Sequence, residues 1–146
     1  MSTSPPPDFN SSAKRHMTDA ELLHANLRHP NADHLAGLAA ECALKALIAG
    51  YLGGHIDRNN LVVHPDTGQI KKHINTLWPE MATIVRNRSV NALMPLLTST
   101  PFADWKVEER YSDGSHLTPE AVAAHMSAAR TAVGILEQAH LDGILK

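Results

Sequence analysis

From Leu35 to Leu52 the chain runs for about five helical turns with only two charged residues, Glu41 and Lys45. At about 100° per residue, Leu35, Leu38, Ala39, Cys42, Ala46 and Ala49 stack on one stripe. Leu44, Leu47 and Ile48 cover much of the opposite side. A soluble helix that is apolar nearly all round has to be buried nearly all round, so this segment is predicted to be the central helix. Upstream, Thr18-Asp-Ala-Glu21 reads as a capping box that opens a first helix carrying Leu22, Leu23 and Leu27. Pro30 should stop that helix near Arg28, with Asn31 capping the long helix and Gly53-Gly54 ending it.

Beyond residue 54 the pattern weakens. Residues 55–70 look irregular, with a short extended piece at Leu61–Val63 and a turn at Asp66-Thr67-Gly68. A short helix around Lys71–Leu77 is predicted to break at Pro79. A further helix should run from Glu80 to about Leu97, carrying Met81, Ile84, Val85 and Ala92, with Pro95 fraying its last turn. Pro101–Tyr111 reads as an extended connector, and Thr118-Pro119-Glu120 starts a final helix. Ala121, His125, Ala128, Ala132, Ile135, Leu136 and Ala139 line one face of it. No repeat and no strand pattern strong enough for a sheet is visible. The prediction is an all-α bundle of four to five helices, one domain over residues 15–146, behind a mobile Pro- and Ser-rich tail over residues 1–14.

Composition narrows the picture in three ways. A chain of 146 residues with 43% apolar content supports one normal core, and aromatic content of only 4% means close-packed, alanine-rich helices. A formal charge of −2 provides no overall electrostatic footprint for nucleic acid, though a local basic patch can hide in a neutral total. The single cysteine, Cys42, reads as a small buried hydrophobe in a reducing compartment. The chain opens without a charged and then apolar leader, and Glu41 and Lys45 make Leu35–Leu52 costly as a membrane span. A cytoplasmic protein without membrane contact is expected.

Ten histidines raise the question of a metal. Their spacing does not supply one: there is no His-Glu-x-x-His and no paired Cys and His set, so neither metal nor cofactor is expected. Glu41 and Lys45 have the order and spacing of a helical ion pair, either a solvated strip or the wall of a polar cleft or subunit interface. His125, within an alanine-rich face, reads as a core histidine that needs a partner, and Glu41 is a conceivable one. Arg110-Tyr-Ser-Asp-Gly-Ser-His116 sets a guanidinium and an imidazole six residues apart across a turn. The first can hold a phosphate and the second can move a proton, which suits phosphodiester chemistry. The plainer alternative pairs Arg110 with Glu108, Glu109 or Asp113 and packs Tyr111 on the bundle.

The segment Ala32–Ile48, then Trp105-Lys-Val-Glu-Glu-Arg-Tyr111, then a last alanine-rich helix, resembles HEPN domains (higher eukaryotes and prokaryotes nucleotide-binding). The resemblance covers roughly residues 17–146 and implies an up-and-down helical bundle, frequently a homodimer. It further implies RNA or nucleotide binding, in many members metal-independent endoribonuclease or toxin activity, often beside a nucleotidyltransferase partner. The family motif, an Arg and a His separated by four to six residues, is met in spacing by Arg110 and His116 as the catalytic pair. Tyr111 in the following position departs from the usual polar residue. Glu41, Lys45, Tyr111 and His125 are the expected binding residues. The alternative function is a noncatalytic interaction subunit, such as an antitoxin or defence-system partner, that needs only an exposed apolar face.

Overall fold

The computed structural model of the chain describes residues 7–86, 93–94 and 99–142. Its first helix, α1, spans Phe9–Ala25 and starts well before the predicted capping box. Asp8 is the cap: its carboxylate accepts from the Ser11 backbone N–H at 2.9 Å and from the Ser11 hydroxyl at 2.8 Å. Ala13, Met17 and Ala20 then carry a buried stripe in steps of four and three. Residues 9–14 are therefore helix and not tail, while residues 1–6 lie outside the described residues. Thr18 falls mid-helix, donating its hydroxyl proton to the Lys14 carbonyl at 2.9 Å. Small side chains hid this stripe, because alanines signal a close helix contact only once the partner is known.

The central helix, α2, spans His29–Tyr51 and takes Pro30 into its first turn, where a missing N–H costs nothing. Arg28, not Asn31, is the cap residue. Leu44, Leu47 and Ile48 are fully buried, together with Ala36, Ala39, Ala40 and Ala43. Leu35, Leu38 and Cys42 are only partly covered, so the Leu44–Leu47–Ile48 side is the deeper of the two predicted faces. After Tyr51 the chain reverses through Gly53 at φ 88°, and the Gly54 N–H returns to the Ile48 carbonyl at 2.9 Å.

The expectation that no sheet forms is overturned by a small antiparallel one. Strand β1 (His55–Ile56) pairs with β2 (Val62–His64), which pairs with β3 (Gly68–Ile70) in the register Val62↔Ile70. Strands of two or three residues are too short for alternation to show in sequence. Val62, His64 and Ile70 point inward, and the His64 Nε2–H donates to the Leu52 carbonyl at 2.8 Å.

The two predicted pieces around Pro79 form one helix, α3, over Ile74–Arg86. Pro79 is its sixth residue and exposed, so the carbonyl deprived of a donor, that of Asn75, belongs to the first turn. The continuation to Leu97, with Ala92 and Pro95, lies outside the described residues. The predicted connector is not extended: Phe102 and Trp105 are fully buried, and Val107–Tyr111 winds into a 3₁₀ turn. Helix α4, Pro119–Asp142, begins as predicted, with the Ala121 N–H donating to the Thr118 hydroxyl at 3.1 Å. Thr118→Ala should lower stability by about 1 kcal/mol, read from the urea midpoint.

Side-chain contacts fix how the helices run. Lys45 lies over the Phe9 ring, so α1 and α2 are antiparallel. His125 meets Asp33 near one end and His140 meets Tyr51 near the other, so α4 runs parallel to α2. Among the described residues the fold is an all-α bundle of four helices with a three-stranded sheet inserted between α2 and α3. Among the described residues no helix is long and apolar enough to cross a membrane.

Candidate functional site

At the start of α2, Ala32, Asp33, Ala36 and Gly37 make a small-residue surface with one acid set into it. Trp105 fills that surface: its indole N–H donates to the Asp33 carbonyl at 3.0 Å, and its ring stacks on His34. A Cβ on Gly37 would collide with the indole, so only glycine admits it. This anchor sets the 3₁₀ turn, which begins two residues later, against α2.

His125 enters the same region from α4. Its Nδ1 lies 2.6 Å from Asp33 Oδ1 and its Nε2 lies 2.9 Å from Asp104 Oδ1. A carboxylate at each nitrogen requires an N–H at each, so the ring is an imidazolium. Burial opposes that charge, but the bonds and charges of Asp33 and then Asp104 outweigh it and raise the His125 pKa above its ordinary value. The expected partner Glu41 is not involved. It lies eight residues further along α2 than Asp33, an axial displacement of about 12 Å.

Asp33 is itself fully buried, and its carboxyl meets the Glu109 carboxyl of the 3₁₀ turn. The Glu109 side chain is 5% exposed. Among the described residues, Asp33 Oδ2 and Glu109 Oε1 are buried carboxyl oxygens that meet no N–H or O–H donor other than a proton on one of them. Two facing buried carboxyls cannot both ionise. Burial first, and Asp33 second, push the Glu109 pKa up to about 8. At neutrality Glu109 is the protonated partner and donates to Asp33. The result is a continuous line: Glu109 carboxylic acid, Asp33 carboxylate, His125 imidazolium, Asp104 carboxylate.

His116 and His34 flank this line at Glu109. His116 Nε2 is 3.9 Å from Glu109 Oε2, and His34 Nδ1 is 4.0 Å from Glu109 Oε1. Burial lowers the His34 pKa, and the Arg110 charge lowers it further. Of the predicted catalytic residues, His116 approaches Glu109, while Arg110 is its neighbour in the chain; both are exposed. Arg110 lies over the Tyr111 ring at 4.8 Å and forms no ion pair with Glu108, Glu109 or Asp113. Tyr111 is 78% exposed and does not pack on the bundle. The Asp113-Gly114 turn is tied down, since Asp113 accepts from the Ser115 N–H at 2.9 Å and Gly114, at φ 81°, abuts Pro30.

The predicted pair on α2 is present but separate. Lys45 Nζ lies 3.0 Å from Glu41 Oε2, and His73 Nδ1 lies 2.9 Å from Glu41 Oε1. This triad clamps the chain leading into α3 against α2. At the far end of the bundle, Tyr51 bonds to His140, which bonds to Asn10 at 3.0 Å. They border an open groove of about 1060 Å³ whose walls include Phe9, Ala46, Ala49 and Ile56. Among the described residues no cluster of three or more His, Cys, Asp or Glu is arranged to hold a metal ion. Burial pushes the Cys42 thiol up to about 11, too high for a thiolate nucleophile.

Known proteins add nothing to this geometry. No family model, no curated protein and no solved structure matches the chain.

Sequence reasoning singled out Arg110, His116 and His125 but missed Asp33, His34, Asp104 and Glu109. One signal for Asp33 was present: an acid within the run Ala32–Gly37, whose small residues demand a close neighbour. Asp104 and Glu109 carry no local signal, because each acquires its role from α2 and α4.

Proposed function

We propose that this chain binds RNA or a nucleotide on the face formed by Arg110, Tyr111 and His116, and that it acts as a metal-independent endoribonuclease of the HEPN type. One observation carries the reading: the exposed His116 imidazole approaches the buried Glu109 carboxyl, and the exposed Arg110 guanidinium follows Glu109 in a turn that Trp105 anchors. The guanidinium suits a phosphate, the open Tyr111 ring suits a stacked base, and His116 suits proton transfer to or from a ribose or leaving oxygen. Such a role fits a cytoplasmic protein with a reduced, partly buried Cys42.

The test uses labelled single-stranded RNA at low salt with a chelator present. Anisotropy should show binding that Arg110→Ala weakens about tenfold or more, the scale of a lost charge-assisted hydrogen bond. Cleavage should persist with the chelator and fall about 10²-fold or more in His116→Ala. Arg110→Lys should restore little if the contact is bidentate. RNA that is neither bound nor cut would overturn the proposal. RNA bound but left whole would retain the binding and remove the nuclease.

The groove beside Tyr51 and His140 favours a second reading, a noncatalytic subunit of an antitoxin or defence type. Its open, apolar walls suit a protein surface, either a second copy of this chain or a separate partner such as a nucleotidyltransferase. Gly50 lines the groove, and a Cβ there meets nothing within 4 Å. Gly50→Leu should therefore abolish association while leaving RNA binding intact.

A further inference from the structure

The 3₁₀ turn Val107–Tyr111 contributes no fully buried residue to the core. Val107 packs against the core only in part, and the other inward contact is the Glu109 side chain, which reaches α2 and is covered there. A polar side chain is a poor anchor unless its bonds are complete. Here they are complete in one protonation state only. Asp33 Oδ2 accepts no N–H, so the seat for Glu109 is built for a donor, and a carboxylate is not one.

We infer that the Val107–Tyr111 turn is a proton-operated latch: one proton shared by Glu109 and Asp33 seats the turn on α2, and its loss to solvent frees the turn together with Arg110 and Tyr111. The surroundings set which carboxyl gives way. Asp33 is fixed by the His125 imidazolium from α4, which Asp104 holds from its other side. His34 of α2 and His116 after the turn approach Glu109 at 4.0 and 3.9 Å, too far for hydrogen bonds, and the Arg110 charge acts on His34. Burial and the Asp33 charge disfavour an ionised Glu109 more than these partners favour it. Once Glu109 ionises, two like charges face each other in a covered site. The turn is the mobile side of that pair, since Asp33 is fixed within α2 and doubly bonded through His125 and the Trp105 indole. The latch itself does not depend on RNA binding. Only its consequence, that a ligand of the Arg110 face would bind more weakly in alkali, rests on that reading.

Trp105 is a built-in reporter, buried one turn from Glu109. Its emission would be followed from about pH 6.5 to about pH 9.5, below the ordinary tyrosine range. The measurement uses the whole chain and a Trp78→Phe version that isolates the signal. A red shift with a midpoint near the value of about 8 expected for Glu109 should appear. It should vanish in Glu109→Gln, whose amide N–H can bond to Asp33 at every pH. His125 is retained in that variant, so a transition belonging to the imidazolium would persist. Emission that stays constant in the wild type, or a shift unchanged in Glu109→Gln, would overturn the latch. Should Glu109→Gln fail to fold, the carboxyl carbon resonance of Glu109 in the wild-type chain decides. A midpoint well above the ordinary carboxyl range supports the latch, and one at about 4–5 overturns it.

Discussion

Trp105→Ala should lower the free energy of unfolding by about 3–5 kcal/mol, a large part of the about 5–15 kcal/mol that holds a domain together. The indole is fully buried, fills the surface left by Gly37, stacks on His34 and satisfies the Asp33 carbonyl. Two glycines of α2 provide a paired test of that geometry. Gly37→Ala gains helix propensity worth about 1 kcal/mol but drives a methyl into the indole, and overpacking of this kind costs about 1–3 kcal/mol. It should be destabilising. Gly50→Ala gains the same propensity with nothing in its way and should be stabilising by up to about 1 kcal/mol. Urea denaturation of the three variants measures all of this. Equal gains at both glycines would show that Trp105 does not sit against α2.

Where the chain declared its fold, it did so through large side chains and strong caps. Leu44, Leu47 and Ile48 mark α2 as central, and Thr118-Pro119-Glu120 marks the start of α4. The early turns of α1 stayed hidden because Ala13 and Ala20 bury fully while presenting little hydrophobic signal. Pro79 misled in the other direction: a proline near a helix start breaks little, since the carbonyl it deprives is in the first turn. The sheet escaped because Val62–His64 and Gly68–Ile70 are three residues each, below the length at which alternation differs from chance.

The site was legible in its exposed members and opaque in its buried ones. Arg110 and His116 could be paired from spacing alone, and His116 lies beside Glu109, the residue before Arg110. His125 could be recognised as an inward histidine in need of a partner, but the choice between Glu41 and Asp33 depends on the axial position of α4 along α2. That position is set by tertiary packing. Glu109 looked like one of several acids available to Arg110, whereas its neighbours make it the acid that keeps its proton.

His125→Ala should destabilise the protein by about 3–5 kcal/mol near neutral pH, because a buried carboxylate loses its counter-charge. The two acids fare differently. The Asp104 side chain is 69% exposed and falls back on water, while Asp33 is fully covered and has only the Trp105-anchored backbone and Glu109 left around it. The pH dependence identifies the cause. In the wild type the His125 pKa is raised, so its stabilisation is complete below the unfolded value of about 6.5 and is lost as pH rises through the folded value. Glu109 acts in the same direction: the unfolded chain releases its proton near 4.5 and the folded chain near about 8, so stability falls across that window. His16 and His34, lowered chiefly by burial, act oppositely, but only as pH falls below about 6.5. Above that value the imidazolium and the shared proton act together, and the wild-type urea midpoint should decline steadily toward about pH 9. Removing His125 takes away the imidazolium share, so the variant should start lower and decline less. A variant that stays parallel to the wild type across this range would mean that His125 is neutral in the fold and that Asp33 is not its counter-ion.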